Sequence, residues 1–183
     1  MQLYGIGDLH LSLGVPEKPM DIFHGWENYM QLLEQHWRAM VQPEDTVVLA
    51  GDLSWGMTLP QAKADFAFLE TLPGQKIILK GNHDYWWNSM KKMQQFFADN
   101  GFDSLHILHN NHYAFQQYGI CGTRGWVSIN GETADAKVLA REVQRLEVSI
   151  QSALKEQLTP IVFLHYPPIY GNSYNYEILE VLH

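Results

Sequence analysis

The sequence predicts an α/β protein with a mixed sheet arrangement, and three features lead there. Short apolar, often β-branched runs alternate with amphipathic helical patterns through the N-terminal half. A group of short strand-like runs separated by turn residues follows in the middle of the chain, and a helix and strand pattern comes after it. No linker, internal repeat or low-complexity segment interrupts the series, so a single domain over residues 1–183 is expected.

Each element has its own local reason. Leu3-Tyr4-Gly5-Ile6-Gly7 is a short apolar strand that ends in a polar cluster. From Trp26 to Val41, the residues Trp26, Tyr29, Met30, Leu33, Trp37 and Met40 recur at helical spacing, forming one apolar helix face. Thr46 to Ala50 is a β-branched strand stopped by Gly51. Leu59 to Leu72 is a helix opening with Pro60, whose fixed φ and missing N–H suit a first turn, and it closes before Pro73-Gly74. Lys76 to Leu79 is a third strand, and Tyr85 to Asn100 a helix with Gly101 as its C-terminal cap. Leu105–Leu108, His112–Gln117 and Ile120–Thr123 read as short strands joined by turns, hence an antiparallel meander. A helix bearing Val138, Leu139, Val143, Leu146, Ile150 and Leu154 then leads to the strand Ile161–Leu164.

Composition narrows the function. With 183 residues, 46% hydrophobic and 17% charged, the chain can bury a core and is not of disordered type. Twelve Lys and Arg against 20 Asp and Glu give a formal charge of −8, which disfavours nonspecific binding to nucleic acid or to anionic membrane. The lone Cys121 excludes an internal disulfide and a Cys-rich zinc module. No basic leader precedes the first strand, and no apolar stretch approaches the roughly 20 residues of a membrane span. A cytoplasmic protein without membrane association is expected.

The chemistry sits just after the strands. Strand one ends in Asp8-Leu9-His10, strand two in Gly51-Asp52, strand three in Gly81-Asn82-His83-Asp84, and the last in His165. Ligands of open α/β sheets bind beyond the carboxyl ends of strands, so parallel strands would gather these groups. Carboxylate, amide and imidazole donors together suit Mn, Fe, Zn or a similar divalent ion. Without a cation, two carboxylates about 4 Å apart would repel by roughly 4 kcal/mol at an effective dielectric of ~20. Asp-x-His or Gly-Asp alone is common, and isolated His24, His36 or His106 reads as a surface or packed residue. Gly-Asn-His-Asp is far rarer.

In order and spacing these blocks resemble those of the calcineurin-like metallophosphoesterase superfamily: D-x-H, G-D, G-N-H-[DE] and a lone His after a strand. The extensions Tyr85-Trp86-Trp87, Gly122-Thr123-Arg124-Gly125-Trp126 and Leu164-His165-Tyr166-Pro167-Pro168 look like a bacterial branch of phosphohydrolases within it. The resemblance implies a four-layer α/β/β/α sandwich of two mixed sheets flanked by helices. It also implies two divalent metal ions and hydrolysis of a small phosphorylated substrate by a metal-bridging hydroxide. Carried over residue by residue, Asp8 and His10 bind the first ion, Asn82 and His165 the second, and Asp52 bridges both. His83 is then the donor to the phosphoryl or leaving-group oxygen, with Asp84 orienting its imidazole.

The family's fifth block, G-H-x-H, is absent from this sequence. The run Tyr176 to His183 reads as a helix that stops without a glycine cap or closing proline, and His183 is a poor substitute for the missing imidazoles. A C-terminally truncated domain is therefore expected, with weakened metal binding and an exposed apolar edge inviting self-association. Arg124, in a Gly-rich turn, is either a bidentate phosphate binder or an ordinary turn arginine. Trp55, Trp86 and Trp87 either wall a substrate pocket or belong to the core. The charges Arg141-Glu142 and Arg145-Glu147 read as the solvated face of a helix. Beside the phosphohydrolase stand a non-catalytic scaffold of the same fold and a nuclease, the latter disfavoured by the acidic balance.

Overall fold

A computed structural model of the chain describes residues 1–126, 133–171 and 173–183. They fall into two compact units, one of residues 1–78 and 82–107, the other of residues 79–81 and 108–183. The class is the mixed α/β one expected. No helix of the described residues is long and apolar enough to cross a membrane.

In the first unit, strands β1 (Leu3–Ile6), β2 (Thr46–Ala50), β3 (Gln75–Leu79) and β4 (Leu105–Ile107) form a sheet in that order. β1 runs parallel to β2, from Leu3 opposite Thr46 to Ile6 opposite Leu49. β3 runs parallel to β4. Parallel neighbours need long crossovers, and helices supply them: α1 (Tyr29–Met40), α2 (Leu59–Thr71) and α3 (Met90–Asn100). The expected meander is corrected here, because Leu105–Ile107 belongs to this sheet in parallel orientation. Its three residues are too short to reveal direction, and the helix before it makes the crossover.

Two helix starts also differ from expectation. α1 begins only after Asn28, whose φ of 55° lies in the left-handed region, so Trp26 is outside it. α3 begins at Met90, where the Ser89 hydroxyl accepts the Lys92 N–H. A turn at Tyr85-Trp86, followed by irregular chain to Ser89, instead places Trp86 in the core. Trp86 is fully buried, edge-on to Phe66 at 4.9 Å, and Phe66 in turn meets Phe97 at 5.1 Å. Trp86 is thus a core residue, not a pocket wall. Gly101 does cap α3 at φ 67°, and Pro60 does sit in the first turn of α2.

In the second unit, β5 (Tyr113–Phe115) and β6 (Tyr118–Thr123) form the expected antiparallel pair. β7 (Thr159–Leu164) joins β6 in parallel after the long helix α4 (Thr133–Lys155), so this sheet is mixed. A short hairpin of β8 (Ile169–Tyr170) and β9 (Ser173–Tyr174) and the helix α5 (Tyr176–Leu182) follow. Gly119 lies where β6 crosses α4, and a Cβ there would collide with that of Ala153. The reading of Glu142 as solvated is corrected: it is 1% exposed. Its carboxylate accepts the Thr123 hydroxyl and pairs with Arg145 at 2.6 Å and Arg124 at 3.3 Å. Alternating charge along a helix does not disclose which of its members faces a buried strand end.

Candidate metal centre

The centre grows out of the ends of β1 and β2. Beyond Ile6 the chain turns through Gly7 into Asp8 at φ 56° and His10 at φ 45°, and beyond Ala50 it passes Gly51 at φ 95° into Asp52 at φ 52°. Left-handed backbone at a non-glycine residue costs roughly 1–3 kcal/mol and persists only where the surroundings impose it. Here a ladder between the two turns imposes it. Asp8 N–H donates to Gly51 O (3.0 Å), His10 N–H to Asp52 O (2.9 Å), Leu11 N–H to Leu53 O (2.9 Å), and Trp55 N–H to Leu11 O (2.8 Å).

The side chains thereby converge. His10 Nε2 lies 3.7 Å from Asp8 Oδ1 and 3.8 Å from Asp52 Oδ2. Two donors each about 2.0–2.2 Å from one cation can be at most ~4.3 Å apart, so both pairs can share an ion. Asp52 is 3% exposed and Asp8 63%, which leaves the trio open on one side. Burial lowers the His10 pKa, opposed by the Asp52 and Asp8 carboxylates, and favours the neutral imidazole that a metal requires. The Trp55 ring stacks on His10 at 4.9 Å, and Trp26 meets its edge at 6.1 Å.

The Asn82-His83-Asp84 turn enters from the end of β3. His83 N–H donates to Asp52 Oδ1 at 2.8 Å, and His83 Nδ1 meets Asp52 Oδ2 at 2.7 Å. That second distance is a hydrogen bond. The ligand atoms of His10, Asp52 and His83 nonetheless lie within 4.8 Å of one another, so His83 joins the donors able to hold a metal. Asn82 lies beside it, its amide nitrogen 3.0 Å from His83 Nδ1. Asp84 was expected to orient the His83 imidazole. Its buried carboxylate accepts the N–H groups of Asp52 (2.9 Å), Leu53 (2.9 Å) and Ser54 (3.4 Å) and the Trp86 indole N–H (3.0 Å). Asp84 therefore braces the turn that carries Asp52, and Asp52 itself meets the imidazole. The physical reason is local: the amides of the tight turn after Gly51 point inward, and a buried anion satisfies them.

Arg124 and His165 belong to the second unit. Arg124 pairs with Glu142 and lies over the Trp126 ring at 4.8 Å, and its Nε is buried with no hydrogen-bond partner among the described residues. Its carbonyl accepts the Tyr166 N–H at 2.8 Å, tying the segment after β7 to the end of β6. His165 is half-buried there, edge-on to Tyr166 at 5.0 Å.

Sequence reasoning missed Ser54 and Asp65. Asp65 is fully buried on α2, between Ala62 and Leu69 on the helix's apolar face. A carboxylate at a core position of an amphipathic helix was the available signal.

These features define an α/β protein whose carboxylate and imidazole groups, gathered at strand ends, could hold a metal ion. The model of the family described as calcineurin-like phosphoesterase matches residues 1–182, and the chain belongs to that family. The family's members are hydrolases that bind divalent metals, and the donor set above fits such ions. No curated protein matches the chain. Among solved structures, it is similar to a protein of unknown function from Aquifex aeolicus, at 18% identity and a TM-score of 0.45, over 88% of this chain and 89% of the other.

Proposed function

We propose that the chain is a metal-dependent phosphohydrolase acting on a phosphomonoester or small phosphodiester. The observation that supports this best is the convergence of Asp8, His10 and Asp52, at spacings one cation can span, from strained turns at the ends of two adjacent parallel strands.

In this reading Asp8, His10 and Asp52 hold one divalent ion. Asn82 and His165 enter as ligands of a second on the family's motif alone. A bound divalent ion supplies Lewis acidity, polarising a phosphoryl oxygen and lowering the pKa of coordinated water. The chain's own residues do the rest. Asp52 fixes the His83 ring through Nδ1, and Nε2, 3.3 Å from the Asn82 amide nitrogen, is the atom that would hold and deliver a proton to the departing oxygen in this reading. Asp84 keeps the Asp52 turn in place. Trp55 and Trp26 shield His10 from water. Arg124, paired with Glu142, serves as a brace for the His165 segment in this reading.

The test is hydrolysis of p-nitrophenyl phosphate with Mn²⁺, Fe²⁺ or Zn²⁺. Activity by the native chain, lost at least ~10²-fold in Asp52→Asn, is the expected result. Mn²⁺ binding without turnover of any phosphoester would favour the scaffold reading, and cleavage of single-stranded DNA in preference to small esters the nuclease.

A further inference from the structure

Asp65 is a fully buried carboxylate that the chemistry above does not use. No ion pair reaches it among the described residues. Leaving an acid in such a place is costly unless its hydrogen bonds offset the loss of water, so where those bonds go is informative. Both go to the turns that carry the candidate ligands. Oδ1 accepts the Leu13 N–H at 2.8 Å, just beyond Asp8-Leu9-His10, and Oδ2 accepts the Ser54 hydroxyl at 2.5 Å, two residues beyond Asp52. Ser54 Oγ accepts the Gly56 N–H at 3.0 Å in turn, while the Ser54 N–H points to Asp84. The segment Asp52-Leu53-Ser54 is thus gripped by buried carboxylates on two sides, Asp84 from the next ligand turn and Asp65 from α2.

We propose that Asp65, acting through Ser54 and Leu13, is a positioning residue of the metal centre. It holds the two strained ligand turns in the register that lets Asp8, His10 and Asp52 share a cation. A side chain from a packed helix does what the backbone ladder cannot: it anchors both turns to the same rigid body. Outer partners of metal ligands act in this way, and removing one lowers metal affinity by about 10–100-fold. This inference rests on the reading of the centre given above.

Isothermal titration with Mn²⁺ separates the two. Asp65→Asn preserves shape and Ser54→Ala removes one tether, so each variant can be checked for folding by thermal melting without metal. The expected result is a Kd for Mn²⁺ raised about tenfold or more in folded Asp65→Asn, a smaller rise in Ser54→Ala, and an altered electron-paramagnetic spectrum of the bound ion in both. A merely structural role would lower the metal-free melting temperature but leave affinity and spectrum unchanged. Folded variants that bind Mn²⁺ within twofold of the native chain would overturn the role of Asp65 and leave the centre standing. A native chain that binds no Mn²⁺ would overturn the centre, and this role with it.

Discussion

His83 is held at both ends of its residue, by its backbone N–H on one oxygen of Asp52 and its ring on the other. A ring so held places its other nitrogen, Nε2, 3.3 Å from the Asn82 amide nitrogen, and the value of Nε2 as a proton donor depends on the leaving group. General acid catalysis contributes typically ~10²–10⁴-fold, and most where the departing alkoxide is basic. His83→Gln should therefore slow hydrolysis of an alkyl phosphate such as glycerol phosphate by about 10²–10³-fold, while p-nitrophenyl phosphate, whose phenolate leaves unaided, loses far less. Equal losses on both substrates would instead assign His83 to metal binding. At this scale a residue's type and its place after a strand both carried meaning, as for Asp8, His10 and Asp52, where the structure brings the two carboxylates to 3.7 and 3.8 Å from His10 Nε2. The sequence was silent on Asp84, because an acid that orients an imidazole and one that braces a turn are spelled alike.

Elements show where local pattern stops informing. β2 and β3 were readable from their β-branched runs and glycine stops, and α2 from Pro60. The run Leu105–Leu108 predicts the strand β4 but not its partner, since its parallel direction follows from the helix that precedes it. Residues 85–89 have a helical pattern because Trp86 and Trp87 fit a helical face, whereas burial of Trp86 against Phe66 goes with a turn at Tyr85-Trp86. That packing is testable: Trp86→Ala should cost about 3–5 kcal/mol in chemical denaturation and also release Asp84 from its indole donor. α2 carries a second prediction. Burial pushes the Asp65 carboxyl up to about 6 from an ordinary value near 3.8. The folded state then holds this proton more tightly than the unfolded chain, so stability due to Asp65 rises as pH falls through 6 toward 4 and is lost as pH rises again. Relative to Asp65→Asn, the native protein should gain roughly 2.4 kcal/mol between pH 7 and pH 4. Parallel pH profiles of native and variant melting would contradict it.

Across the whole chain, the acidic balance of −8 and the convergence of the Asp8 and Asp52 carboxylates on His10 point the same way. A divalent cation held there would offset the repulsion between those two carboxylates. Mn²⁺ at about a hundred times its Kd should add roughly 2.7 kcal/mol, or about 5–10 °C in melting temperature for a chain of this length, and Asp52→Asn should abolish the shift. The family was legible because its blocks are short, ordered and tied to strand ends, and the match over residues 1–182 agrees with them. The buried network of Glu142, Thr123 and Arg124 was not, since its partners lie far apart in sequence and none carries a motif.

The left-handed residues of the centre bear on how such a chain tolerates change. Glycine adopts φ of 56° freely where aspartate does not, so Asp8→Gly relaxes the turn at an exposed position and should leave the metal-free melting temperature equal or slightly higher. Selection for heat resistance alone would accordingly reward erosion of the ligand turns before it touched the core. Persistence of aspartate and histidine at such positions in any descendant of this chain would be a signature of selection for chemistry, readable without an assay.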